Sequence, residues 1–152
     1  MLGVGGIRAL ELLGIKPDLF HSNEGHSAFC GLERIRMLMN SEQLTFAEAK
    51  EIIRASTLFT THTPVPAGHD HFDEDLIRKY MGHYPNRLRI SWEQFMALGR
   101  ANPNDWNEKF NMSYLASNLA QEINGVSMLH GAVTRDMFTE LWPGFLPEEL
   151  HI

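Results

Sequence analysis

The sequence has a single cysteine, Cys30, among 152 residues. No internal disulfide can form, and a reducing, cytoplasmic setting is expected. No apolar run approaches the roughly 20 residues needed to cross a bilayer, so no membrane partner is expected. Basic charge is scarce. Thirteen Lys and Arg against nineteen Asp and Glu leave a net charge of −6, and no basic stripe stands out, which argues against nucleic acid as a partner. Met1 to Gly6 lacks the basic segment of a secretion signal. Gly3-Val-Gly-Gly6 looks superficially like a phosphate loop. No strand precedes it and no Lys-Ser/Thr pair follows, so the glycines are read instead as letting a helix approach another backbone. There is no Gly-x-Ser-x-Gly nucleophile elbow, no internal repeat and no low-complexity segment.

What is present fits one packed domain: 43% hydrophobic and 21% charged residues. Helix and strand signals alternate. Val4 to Leu13 reads as a helix stopped at Gly14. Asp18 to His21 is a short strand. His26 to Asn40 carries Phe29, Leu32, Ile35 and Met39 at helical spacing. Thr45 and Glu48 form a capping box that opens a helix to about Ala55. Thr57 to Thr61 is a β-branched and aromatic strand, and Pro64 to His71 an ordered loop. Helices follow at Asp73 to Met81 and from Ser91 to about Arg100, then an Asn-rich loop. Asn111 caps a helix with the stripe Met112, Leu115, Leu119 and Ile123. Val126 to Leu129 reads as a third strand and His130 to Trp142 as a last helix. This order predicts a layered α/β fold with a parallel sheet.

In such folds ligands sit beyond the carboxyl ends of the strands. That rule singles out His21-Ser-Asn-Glu-Gly-His-Ser27 and Thr60-Thr-His-Thr-Pro64, and neighbouring strands would bring the two together. Asn23 and Glu24 offer an amide and a carboxylate, Gly25 a tight turn, and His26 the start of a helix, where the dipole favours oxygen-rich ligands. With His62, they make a polar cluster suited to a polyhydroxylated ligand. The same residues also fit a plain helix cap. His69-Asp-His71 matches no tight zinc spacing, and no Cys pair supports it, so no metal site is expected. Cys30 reads as a small core residue.

Five stretches together resemble the α-glucan phosphorylases, in their shorter microbial branch. They are Phe20-His-Ser-Asn-Glu-Gly-His-Ser-Ala-Phe29, Thr60-Thr-His-Thr-Pro-Val-Pro-Ala-Gly-His69, Phe110-Asn-Met-Ser113, Asn124-Gly-Val-Ser-Met-Leu-His130 and Leu141-Trp-Pro-Gly144. They occur in the family's order and span most of the chain. The resemblance implies a GT-B glycosyltransferase built from two Rossmann-like, three-layer domains around a cleft. Residues 1–152 correspond to the later part of the N-terminal domain, as a single partial domain. The implied reaction cleaves terminal α-1,4-glucosidic bonds with inorganic phosphate and releases glucose 1-phosphate with retention. The implied cofactor is pyridoxal phosphate on a lysine of the C-terminal domain, whose motifs are missing here. Lys16, Lys50, Lys79 and Lys109 lie in none of them.

The resemblance makes His62 the histidine that lines the glucosyl subsite. It makes Asn23, Glu24 and His26 the Asn-Asp/Glu-x-His turn beside the same cleft, with Thr63 supporting the His62 turn. Glu24 stands where many longer members carry Asp. His69, Asp70 and His71 lie in a loop peculiar to the shorter branch and inherit no role. The chain on its own is expected to be inactive. Its opening inside a predicted helix fits excision from a longer protein, and the apolar surface so exposed would favour a homo-oligomer or swapped dimer. A nucleotide-sugar transferase of the same architecture and a non-catalytic glucan-binding module are the alternative readings.

Overall fold

The computed structural model describes all 152 residues. In chain order the elements are helix α1 (Leu2–Leu12), strand β1 (Phe20–Asn23), helices α2 (Phe29–Glu42) and α3 (Phe46–Ala55), and strand β2 (Thr57–Thr61). The short strand β3 (His71–Phe72) and helices α4 (Glu74–Met81), α5 (Tyr84–Leu88) and α6 (Trp92–Ala97) follow. Strand β4 (Phe110–Asn111), helix α7 (Met112–Asn118), strand β5 (Glu122–Gly125) and helix α8 (Met128–Phe138) complete the set. No helix is long and apolar enough to cross a membrane.

The strands order as β1-β2-β5, all parallel. Parallel neighbours need long crossovers. Here α2 and α3 make the first, and everything from β3 to α7 makes the second. Ser22, Phe59 and Ile123 are buried on one sheet face. Phe59 stacks on Phe138 of α8 with ring centroids 6.5 Å apart, and Tyr114 of α7 meets Phe138 edge-on. The apolar cluster continues without a break into Leu32, Ile35 and Met39 of α2. On the opposite face His21, Asn23, Glu122 and Asn124 are exposed. The layered parallel-sheet architecture is thus the expected one, with a helical layer on one face and the other face open in this chain. A polar rung crosses that open face. His21 Nε2 lies 2.7 Å from the Thr60 hydroxyl, which donates to Asn124 Oδ1 at 2.6 Å.

Helix α1 docks on α2 through Gly3. A Cβ there would lie 2.7 Å from the Cys30 nitrogen and 2.8 Å from the Ser27 carbonyl oxygen, so the expected close backbone approach is real at this glycine. Arg8 of the same helix reaches the buried Glu33 of α2 at 2.7 Å. Both capping boxes, Thr45 with Glu48 and Ser91 with Gln94, are formed.

Several boundaries differ from the sequence pattern. Strand β1 begins at Phe20 rather than Asp18, and α2 begins at Phe29 because Gly25–Ser27 is a separate 3-10 turn. The Asn111-capped helix ends at Asn118, and Ile123 belongs to a strand, level with Phe59 of β2. Val126 to Leu129 is not a strand. Ser127 accepts the His130 amide at 3.1 Å and so caps α8, whose first turn holds the exposed Met128 and Leu129. A side-chain cap outranks a short apolar run here because those apolar side chains find nothing to pack against. The last helix ends at Phe138, and its expected continuation is the 3-10 turn Thr139–Leu141.

Candidate functional site at the carboxyl edge of the sheet

Strands β1 and β2 end side by side. Asn23 is level with Thr60, and the Glu24 amide donates to the Thr60 carbonyl at 2.9 Å. The chain then turns with Glu24 at φ 66° and ψ 172°, a positive-φ conformation populated almost only by glycine that costs another residue about 1–3 kcal/mol. The turn aims the carboxylate at the neighbouring strand's exit. Its Oε1 accepts the His62 amide and, at 3.0 Å, the Thr63 hydroxyl. One carboxylate therefore joins the two segments that the sequence singled out. Asn23, Glu24, His62 and Thr63 therefore share one rim.

His26 joins this rim from the other side. It is exposed, with Nδ1 3.2 Å from the Asp70 carboxylate, on the loop that follows His62. Gly25 sits against the start of α7, where a Cβ would meet the Met112 carbonyl carbon and the Ser113 nitrogen at 3.0 Å. All five residues expected at the site thus fall on the same edge of the sheet. The His62, Asn23 and His26 side chains are exposed there, whereas Glu24 and Thr63 are half-buried.

The loop after His62 is held by long-range contacts that no local sequence pattern announces. Asn111 Oδ1 accepts the amides of Ser113 and Tyr114, capping α7. Its Nδ2 therefore faces His71 and donates to His71 Nε2 at 3.1 Å. His71 in turn has its proton on Nδ1 and donates to the His69 carbonyl at 2.7 Å. The Met112 amide donates to the Asp70 carbonyl at 3.0 Å. His69 is buried beside Ser113, with Nδ1 2.7 Å from its hydroxyl oxygen. Burial pushes the His69 pKa below that of an ordinary histidine, against the pull of Glu24 and Asp70. The Asn111 cap was legible in the sequence; its second function, gripping His71, was not. Beyond His71 a polar cavity of about 800 Å³ opens between Asn102, Asp105, Glu108, Tyr114 and Glu140. The Tyr114 hydroxyl donates to Glu140, and its pKa is raised by burial and by that carboxylate.

No group of three or more His, Cys, Asp or Glu side chains is placed to hold a metal ion. Chemically the rim offers an imidazole, an amide and hydroxyl donors on a fixed backbone. That set recognises hydroxyl groups.

Comparison with known proteins gives a consistent picture. The family model described as carbohydrate phosphorylase matches residues 16–151. The chain is 44% identical over 163 aligned residues to a glycogen phosphorylase of Mycobacterium tuberculosis (strain CDC 1551 / Oshkosh), covering 100% of this chain and 18% of that protein. It is 41% identical over 152 residues to a maltodextrin phosphorylase of Thermococcus litoralis, covering 100% of this chain and 17% of that protein. A glycogen phosphorylase of Aquifex aeolicus is 33% identical over 142 residues, covering 93% of this chain and 20% of that protein. The chain thus spans about a fifth of the length of these curated relatives.

Proposed function

Because the chain belongs to the carbohydrate phosphorylase family, we propose that it forms one wall of an α-glucan phosphorolysis site within a longer enzyme. The reaction moves a terminal glucosyl unit from an α-1,4-glucan to inorganic phosphate, giving glucose 1-phosphate with retention. The observation that carries this reading is the junction of the two turns: Glu24 fixes the His62 amide and the Thr63 hydroxyl, while the His62 imidazole stays exposed at the strand exit.

Glucosyl transfer passes through an oxocarbenium-like state, which is stabilised by hydrogen-bonding groups already in place. In this reading His62 holds a hydroxyl of the reacting glucosyl ring. Asn23 and His26 line the same wall, Thr63 stiffens the turn, and Glu24 acts through the turn that it holds. The pyridoxal phosphate implied by the family resemblance needs a lysine at the cleft. Lys109 pairs with Asp73 at 3.0 Å, Lys79 lies over the Tyr80 ring, and Lys50 is half-buried on α3. Lys16 lines a cavity at the end of α1 with Arg34. In this reading the cofactor's lysine lies outside this chain, and the chain alone carries no phosphorolysis. The single cysteine favours a cytoplasmic setting, and the exposed Leu12, Leu13 and Leu19 favour self-association of the separate chain.

The test is His62→Ala in the complete enzyme. We expect phosphorolysis to fall by roughly 30- to 1,000-fold, about 2–4 kcal/mol of transition-state stabilisation. A change below about threefold would remove His62 from the site. Release of glucose 1-phosphate by the 152-residue chain alone, supplied with glucan, phosphate and cofactor, would contradict the one-wall reading.

A further inference from the structure

Asn111 is buried where β4 runs into α7. Its Oδ1 is committed, because it accepts the Ser113 and Tyr114 amides at 2.8 and 3.3 Å. That leaves the donor side, Nδ2, to face His71 Nε2 at 3.1 Å. The other ring nitrogen, His71 Nδ1, lies 2.7 Å from the His69 carbonyl, an oxygen that can only accept. Each proton in this series is therefore fixed by its neighbours: Asn111 donates to His71, and His71 donates to His69. A second ring proton would face the Asn111 amide hydrogens, so the series exists only for a neutral ring.

These bonds act on backbone that leads directly to His62. Strand β3 pairs antiparallel with β4, with His71 level with Asn111, and the Met112 amide donates to the Asp70 carbonyl at 3.0 Å. The returning limb of the loop is held there from Asp70 to Phe72. Just before it lies the 3-10 turn Pro66–Gly68. The Gly68 amide donates to the Val65 carbonyl at 3.0 Å and the His69 amide to the Pro66 carbonyl at 3.2 Å. That turn lays Gly68 on Thr63, where a Cβ would come within 2.6 Å of the Thr63 methyl carbon. Thr63 is the neighbour of His62, and its hydroxyl is held by Glu24. The His62 turn is gripped twice, by Glu24 on one side and by the returning limb on the other.

We propose that Asn111 is a positioning residue for His62, acting through His71 and the limb that leans on Thr63. The backbone ladder reaches only to Asp70. The side-chain series extends the hold to the His69 carbonyl, one residue from Gly68. The His71 ring is exposed on its outer side, so each bond has the modest worth of a partly open hydrogen bond. Losing one should loosen the loop by degrees and leave the fold intact. The fastening is a property of this chain. Its bearing on catalysis rests on the phosphorolysis reading.

The test uses the ¹⁵N-labelled chain at pH 7. Long-range ¹H–¹⁵N correlation should show the Nδ1–H form at His71; the Nε2–H form overturns the proposal. Asn111→Asp keeps an oxygen for the α7 amides but turns the donor into an acceptor. A proton should then appear on His71 Nε2, a change that a weakened helix cap would not produce, and an unchanged ring overturns the proposal. Amide exchange at Gly68 and His69 should rise about five- to tenfold in Asn111→Asp and in His71→Phe, and at His62 about threefold. The double variant should show no further rise, and the Ser113 and Tyr114 amides should keep their rates. Loop rates within about twofold of the parent, or single effects that add in the double variant, overturn it. Should Asn111→Asp fail to fold, His71→Phe, which leaves the cap intact, and the ring form of the parent chain decide. In the complete enzyme, His71→Phe should lower the phosphorolysis rate by about three- to tenfold. An unchanged rate with a loosened loop would rule out the bearing on catalysis, whereas His62→Ala tests the sugar reading itself.

Discussion

Glu33, in the middle of α2, and Glu24, just past the end of β1, are both carboxylates held by hydrogen bonds, and they are held in opposite ways. Glu33 is fully buried. Its oxygens accept from Arg8 at 2.7 Å, from Arg36 at 2.8 and 2.9 Å, and from the Tyr84 hydroxyl at 2.6 Å. Burial alone would raise its pKa; the bonds from Arg36, Arg8 and Tyr84 outweigh burial and bring it down to about 2. Glu24 is half-buried at the sheet's edge, in a positive-φ backbone conformation, and accepts from one amide and one hydroxyl. The first carboxylate is saturated and ties α1, α2 and α5 into one body. The second positions an exposed histidine on a rim with open space beside it. A saturated buried charge serves the fold, whereas a strained, partly open one serves a site.

This contrast can be broken from either side. The largest effect should come from Glu33→Ala. It leaves Arg8, Arg36 and Tyr84 without their shared acceptor and should cost about 3–5 kcal/mol in urea unfolding. A loss below about 1 kcal/mol would mean the cluster is not the anchor described. Acid tests the same group without a mutation. The folded pKa of about 2 lies below the unfolded value near 4.5, so the contribution is fully present above pH 4.5. It should be lost as pH falls from 4.5 towards 2, by about 3 kcal/mol in total. Glu33→Ala should flatten that part of the stability profile.

At the rim the effects should be smaller and differently shaped. Glu24→Ala removes two acceptor bonds but keeps the positive-φ turn, and should cost about 1 kcal/mol. Glu24→Gly removes the same bonds and relieves the strain of φ 66°. It should therefore fall within about 0.5 kcal/mol of the parent chain in thermal unfolding. If the glycine variant is the less stable of the two, the turn is not strained and the contrast with Glu33 weakens.

The sequence revealed some of this for identifiable reasons. Strand β2 was readable because Thr57, Phe59, Thr60 and Thr61 form a run of strand-favouring residues, and Thr45 and Ser91 advertise their caps locally. The meeting of the Asn23 and His62 turns followed from the parallel sheet alone, since parallel neighbours end at one edge. Strand β5 was unreadable. Glu-Ile-Asn-Gly has one apolar side chain, and its place is set by Phe59 across the ladder. The grip of Asn111 on His71 and of Ser113 on His69 joins residues far apart in the chain, so no local pattern carries it. The Glu24 bond to the His62 amide depends on a positive φ at a glutamate, a conformation that side-chain identity does not announce.

The most direct measurement is amide hydrogen exchange at His62 and Thr63, in the parent chain and in Glu24→Ala. The His62 amide has the Glu24 carboxylate as its acceptor. It should be protected in the parent chain and exchange about tenfold or more faster in the variant, while amides in the middle of α2 keep their rates. An unprotected His62 amide in the parent chain, or equal rates in both, would contradict a site built by one turn holding the other.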